Sequence, residues 1–155
     1  MTTIAYDSKT GEIAADSQET GGNGEKYNCQ KLYRIGDAIV ATAGGTYAGM
    51  KLIEFMDEYD GEPEWGEAPD LTNLDLDEDF ECLVIRGDGT CYMINRLFAP
   101  ADQSGNRFIT LGSGGKAARG AMMAGASPKE AVEIAKKIDT YTGGKVHVMV
   151  YEEAE

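Results

Sequence analysis

The apolar positions of this chain change period along its length, and each change marks an element. Residues 2–9 and 12–18 carry two short apolar runs, TTIAYDS and EIAADSQ, around the turn sequence KTG, which predicts a hairpin. A glycine-rich loop, ETGGNGEKYN, comes next. KLYRI and AIVATAG form a second hairpin about Gly36-Asp37. In TYAGMKLIEFMDEY the period lengthens: Ala48, Leu52, Phe55 and Tyr59 recur every three to four residues, which predicts a helix. ECLVI and TCYMIN return to strand spacing around Gly87-Asp88-Gly89, a third hairpin. FITLGSGG is a strand that breaks into glycines, and KAARGAMMAG behind it is a helix of small residues suited to close packing. SPKEAVEIAKKID carries its own start signal: Ser127 as N-cap, Pro128 at the first helical position and Glu130 completing a capping box. Ala131, Ile134, Ala135 and Ile138 are its expected buried stripe. KVHVMVY is the last strand.

Three hairpins, one helix between the second and third, two helices after the third and a final strand predict an α+β fold. With about seven strands, two stacked antiparallel sheets covered by helices are expected. No internal repeat or second domain is evident, so residues 1–155 read as one domain.

Charge changes this picture in one place. The net charge of −13 argues against a nucleic-acid partner. The stretch 57–81 holds 12 of the 27 acids and no Lys or Arg, so the rest, with 15 acids against 14 bases, is nearly neutral. The acidity therefore belongs to one surface loop, inserted at about 60–79, that serves as a solvated spacer or docks a basic partner. No apolar run is long enough to cross a membrane, and Asp7 interrupts the start too early for a signal peptide, so a cytoplasmic location is expected. Cys29, Cys82 and Cys91 lack metal spacing and read as free thiols. The single histidine, His147, excludes a histidine metal cluster and reads as an ordinary strand residue. No metal or organic cofactor is implied.

The candidate chemistry lies at the start of the chain. If Met1 is removed, Thr2 carries both a hydroxyl and a free α-amine. An α-amine titrates near about 7.7–8.0 and can accept the hydroxyl proton of its own residue. A strand beginning at residue 2 would hold that terminus rigidly. Five stretches occur in order along the chain: TTIA at 2–5, AADSQ at 14–18, QKLYRI at 30–35, TAGGT at 42–46 and ITLGSGG at 109–115. Together they resemble the proteasome β-subunit family of N-terminal nucleophile hydrolases, most nearly the bacterial HslV (ClpQ) type.

The resemblance implies a four-layer αββα sandwich and a threonine peptidase acting inside a ring or double ring of identical subunits. Thr2 matches the nucleophile, Asp16 the acid that positions the lysine, and Lys31 the lysine beside the threonine oxygen. Ser113 matches a serine near the terminal amine, and Asp139 and Thr142 in DTYT resemble an Asp-x-x-Ser pair supporting it. A backbone N–H of Gly44, or of Ala43 or Gly45, would serve as the oxyanion donor. Peptide or unfolded protein would be the substrate, with an ATP-dependent unfoldase as a possible partner. The family's second long helix has no room in PEWGEAPDLTNLDLDED, where Pro63, Pro69 and the acids allow one short turn.

Without the resemblance, Asp16 reads as a strand-end carboxylate, Lys31 as an exposed lysine, Ser113 as a helix-start serine, and Met122 and Met123 as core or interface filler. Two rival functions remain: an inactive scaffold subunit of the same fold, and nucleotide binding by the GSGGKA loop at 112–117.

Overall fold

β1 (Ile4–Asp7) and β2 (Glu12–Ala15) pair antiparallel, with Ile4 opposite Ala15 and Asp7 opposite Glu12. The computed structural model describes residues 2–44, 46–68, 80–95 and 98–153. Among these the chain forms helices and antiparallel sheets grouped in two compact units, one of residues 1–32 and 105–151, the other of 33–104 and 152–155.

In the first unit the hairpin lies at the centre of a four-stranded sheet. β10 (Phe108–Leu111) flanks β1 and β11 (His147–Val150) flanks β2, so the order is β10-β1-β2-β11. Pairing puts Ala5 and Ala14 opposite each other, and both lie in one cluster with Ala118, Met122, Ala131, Val132 and Ala135. These last come from α2 (Gly115–Met123) and α3 (Pro128–Ile138). Alanine at nearly every contact lets the two helices lie close to the strands. Ile4, Ile13 and Leu111 occupy the opposite face and are buried too. Burial on both faces explains why IAYD and EIAA read as continuous apolar runs rather than alternating ones.

α3 begins as expected. The Ser127 hydroxyl accepts from the N–H of Glu130, whose carboxylate accepts from the N–H of Ser127. Its buried face differs from the expected stripe. Pro128, Ala131, Val132 and Ala135 are buried, whereas Ile134 and Ile138 are exposed. Two stripes share Ala131 and Ala135, and the sheet takes the slimmer one, because close packing on alanine-lined strands leaves little room for isoleucine. The helix ends at Asp139, which serves as its C-cap.

Three short strands escape the pattern. The glycine-rich loop contains a ribbon of β3 (Gln18–Thr20) and β4 (Lys26–Asn28), whose outer strand is wholly exposed and carries no apolar alternation. β9 (Pro100–Asp102) is an exposed edge strand beginning with a proline.

In the second unit, β5 (Leu32–Ile35), β6 (Ala38–Ala43), β7 (Glu81–Ile85), β8 (Cys91–Asn95) and β9 form a five-stranded sheet in chain order. α1 (Thr46–Glu58) buries Ala48, Leu52, Phe55 and Met56 in a cluster with Val40, Val84 and Ile94, and Tyr59 packs against its edge. Among the described residues of the acidic stretch there is one 3-10 turn, Trp65–Glu67. Pro69 and 70–79 lie outside the described residues. No described helix is long and apolar enough to cross a membrane.

The cap of α3 fixes the start of the helix that carries Asp139 at its end. Ser127→Ala removes one half of the capping box and should lower unfolding free energy by about 1 kcal/mol. Urea denaturation of both proteins measures it.

Candidate active site

The strand hairpin ends where the candidate chemistry begins. One residue beyond β2, the Asp16 side chain is fully buried. Its backbone N–H still continues the ladder, donating to the carbonyl of Thr3 at 3.2 Å. Its carboxylate points back across the hairpin end. Oδ1 accepts from the N–H of Thr3 at 3.0 Å and from Lys31 Nζ at 2.9 Å. Oδ2 accepts from the N–H of Gly143 at 3.0 Å and, more weakly, from that of Gln18 at 3.4 Å. Lys31 is also buried and gives a second hydrogen bond to the carbonyl of Gln18 at 2.6 Å. The exposed-lysine reading of Lys31 is thereby corrected. A fully desolvated ammonium needs an ionised partner and further acceptors to remain charged, and this one has both.

A second carboxylate organises the other side. Asp139 Oδ2 accepts from Ser113 Oγ at 2.5 Å and from Thr142 Oγ1 at 2.6 Å, and Oδ1 accepts from the N–H of Tyr141 at 3.1 Å. Burial raises the Asp139 carboxyl, but the hydrogen bonds from Ser113, Thr142 and Tyr141 outweigh it and hold the group below the ordinary carboxylate range. The segment 139–144 is fastened to the end of β2 by three contacts. Ser17 N–H donates to the Gly143 carbonyl at 3.1 Å, Gln18 Nε2 donates to the Thr140 carbonyl at 3.1 Å, and Gly143 N–H donates to Asp16 Oδ2.

The two clusters meet at residues 2 and 3. Thr2 is buried at the head of β1, and its carbonyl accepts from the N–H of Gly114 at 3.3 Å. Gly112, at φ 87, presses so closely on Thr2 that any side chain there would strike the Thr2 carbonyl. The LGSGG sequence is therefore a consequence of backbone proximity as much as of turn chemistry. Thr3 Oγ1 and Thr142 Oγ1 are 2.7 Å apart. The motifs of the sequence do not single out Thr3. The signal that could have found it is its place directly after Thr2, on the face of β1 that turns toward Asp139 and Thr142.

Of the expected residues, Asp16 and Lys31 form one buried pair, and Ser113, Asp139 and Thr142 form one hydrogen-bonded cluster. Gly44 belongs to the second unit, where it ends β6 with φ 85, and Ala43 is the last paired residue of that strand. Gly45 lies outside the described residues. The GSGGKA loop does open α2, but its serine hydroxyl is committed to the Asp139 carboxylate, so a phosphate there would face a like charge. No group of metal-ligating side chains occurs among the described residues.

A cleft of about 520 Å³ lies behind this arrangement, lined by Ser17, Asn28, Cys29, Leu32, His147 and Met149 among others. None of the expected site residues lines it. His147 borders it from β11, as a strand residue.

No protein-family model matches the sequence, and no curated protein matches it. Solved structures do match its fold. Eukaryotic HslV from Trypanosoma brucei superposes with a TM-score of 0.72 at 23% identity, over 96% of this chain and 98% of that one. BPH from Thiobacillus denitrificans, in complex with epoxomicin, gives 0.73 at 22% identity, over 97% and 100%. A second structure of Thiobacillus denitrificans BPH gives 0.68 at 21% identity, over 97% and 98%. The chain has the fold of these proteins along nearly its whole length.

The depressed Asp139 acidity has a consequence for stability. A carboxyl held low in the folded state adds stability above its unfolded titration, and this contribution is lost as the pH falls through its folded value. Unfolding free energy should therefore fall more steeply in the native chain than in Asp139→Asn as the pH drops below about 5. Equal acid slopes in denaturant titrations would show that this carboxyl is not held by its three donors.

Proposed function

We propose that the chain is a threonine-type peptidase of the proteasome/HslV kind, built as a four-layer αββα sandwich, with Thr2 as an N-terminal nucleophile once Met1 is removed. The observation that carries the reading is the buried Lys31 ammonium, held on the same Asp16 oxygen that takes the amide of Thr3. A buried ion pair is an expensive way to stabilise a hairpin end, and apolar side chains of similar volume would do as well or better. Its position next to the first residues of β1 gives it a chemical use.

In the proposed reaction the Thr2 α-amine accepts the proton from Thr2 Oγ1 as the oxygen attacks a peptide carbonyl. The fixed Lys31 charge favours the alkoxide and keeps the amine neutral. A backbone N–H of the Ala43–Gly44–Gly45 segment, Gly44 first, would stabilise the tetrahedral oxyanion. The amine then returns its proton to the leaving nitrogen, giving an ester on Thr2. The same amine activates a water that hydrolyses the ester and restores the hydroxyl. Ser113, Asp139 and Thr142 would hold the amine's surroundings.

The peptidase would work as a cytoplasmic homo-oligomeric ring or double ring enclosing the nucleophile, with unfolded protein delivered by an ATP-dependent partner. The exposed apolar side chains of α3 and its exit support an assembly: Ile134 and Ile138, one turn apart, and Tyr141 beyond them. They are large apolar groups that a lone chain would leave in water, on the face a neighbouring copy could cover.

Intact mass should give a mature chain beginning at Thr2, and that chain should cleave unstructured peptides. Thr2→Ala should abolish turnover, with Thr2→Ser keeping part of it; full activity in Thr2→Ala would sink the reading. Epoxomicin, bound in the BPH complex, is expected to block the native chain and not to bind Thr2→Ala. Lys31→Arg should lower kcat by at least about 100-fold, because a planar guanidinium cannot reproduce a compact ammonium on one carboxylate oxygen.

Native mass spectrometry should show a closed oligomer of the 16.7 kDa chain, and Ile138→Glu should break it into smaller species. A native chain that stays monomeric while cleaving at full rate would remove the chamber and leave the threonine chemistry standing.

A further inference from the structure

We infer that Thr3 is a positioning residue that couples the two halves of the site through its side-chain hydroxyl; the inference rests on the threonine-peptidase reading. Three observations carry it.

The first is proton bookkeeping. Thr142 has a single hydroxyl proton, and the ionised Asp139 carboxylate 2.6 Å away takes it. At the 2.7 Å contact between Thr3 Oγ1 and Thr142 Oγ1, Thr3 is therefore the donor. The chain of donation runs from Thr3 through Thr142 to Asp139, where Ser113 also donates. A hydroxyl that donates to a carboxylate is polarised and accepts more strongly, so each link tightens the other.

The second is the number of anchors on Thr3. Its N–H is held by Asp16 Oδ1, its carbonyl accepts from the N–H of Asp16, and its hydroxyl is held by Thr142. Thr3 is thus bonded to both carboxylate clusters at once, through its backbone to the lysine side and through its side chain to the serine side. The described hydrogen bonding of Thr2 itself is one long contact, from Gly114 to its carbonyl. The position of the proposed nucleophile is consequently set largely through the residue after it.

The third is the space made for that hydroxyl. Gly114 has an ordinary backbone geometry, with φ −90, so its lack of a side chain answers no conformational demand. A methyl group on it would collide with Thr3 Oγ1 and crowd Thr142 Oγ1. Thr3 is buried with its N–H, carbonyl and hydroxyl all bonded within the fold, so it acts on the nucleophile's position and not on substrate.

The test uses chains whose intact mass shows Thr2 at the terminus. Thr3→Val keeps the branched shape and deletes the donor. It should lower kcat by about ten-fold or more for a small peptide substrate, with KM within about two-fold of the native value. Thr3→Ser, which keeps the hydroxyl, should recover most of that loss. Gly114→Ala should reproduce the Thr3→Val kcat loss with Thr3 intact, which keeps the test open should Thr3→Val fail to fold. In a Thr142→Val background, Thr3→Val should cost less than about two-fold, because the acceptor is already gone. Native kcat in Thr3→Val or in Gly114→Ala, or a Thr3→Ser loss equal to that of Thr3→Val, would overturn the inference. Absence of hydrolysis by the native chain with Thr2 at its terminus would instead overturn the peptidase reading.

Discussion

The carboxylate of Asp16 is the constraint on which the first unit depends. It is buried, and backbone N–H donors and an ammonium converge on it from the residue before β1, from its own turn, from the segment before β5 and from the loop after α3. A carboxylate in this position without those donors would be strongly disfavoured. Each donor is therefore required to be where it is, and each belongs to a different stretch of the sequence. One ionised group fixes the end of the central hairpin, the approach of Lys31 and the path of residues 139–144.

The second carboxylate works in the opposite sense. Asp139 is only partly buried and sits at the C-cap of α3, the end of a helix where negative charge is least welcome. Its compensation is local: two hydroxyls and one backbone N–H, within three residues or across to the start of α2. The site thus pairs a deep carboxylate that organises backbone with a shallower one that organises hydroxyls. The lysine ammonium is on one carboxylate and the side-chain hydroxyls are on the other.

Much of this is legible in the sequence, and what is not has identifiable causes. The hairpins, the three described helices and the capping box at Ser127 obey local rules, because turns and caps are satisfied by neighbours. Asp16 with Lys31, and Ser113 with Asp139 and Thr142, are reached through the family resemblance, since no local pattern ties together residues so far apart in the chain. The buried face of α3 departs from the expected stripe because hydrophobicity alone favours Ile134 and Ile138, while the alanine-lined strands decide by volume. β3 and β4 leave no mark on the apolar pattern, because a ribbon held by backbone bonds and glycine turns needs no alternation. The burial of Lys31 is invisible to residue-type preference, which places lysine in solvent by default.

Thr3 shows a further limit of reading residue by residue. In TTIA the two threonines look equivalent, and the chemistry of an N-terminal hydroxyl draws attention to the first. In the folded chain they differ in kind. Thr2 holds one described hydrogen bond, from Gly114 to its carbonyl, which suits the nucleophile proposed above, whose hydroxyl and amine would have to remain available. Thr3 is saturated, with its N–H, carbonyl and hydroxyl each engaged. In the proposed peptidase the nucleophile could not be both free to react and directly tied down, so its rigidity would have to come from an adjacent residue. The position at the head of β1, clamped to both carboxylate clusters, is the nearest place from which the backbone can supply it.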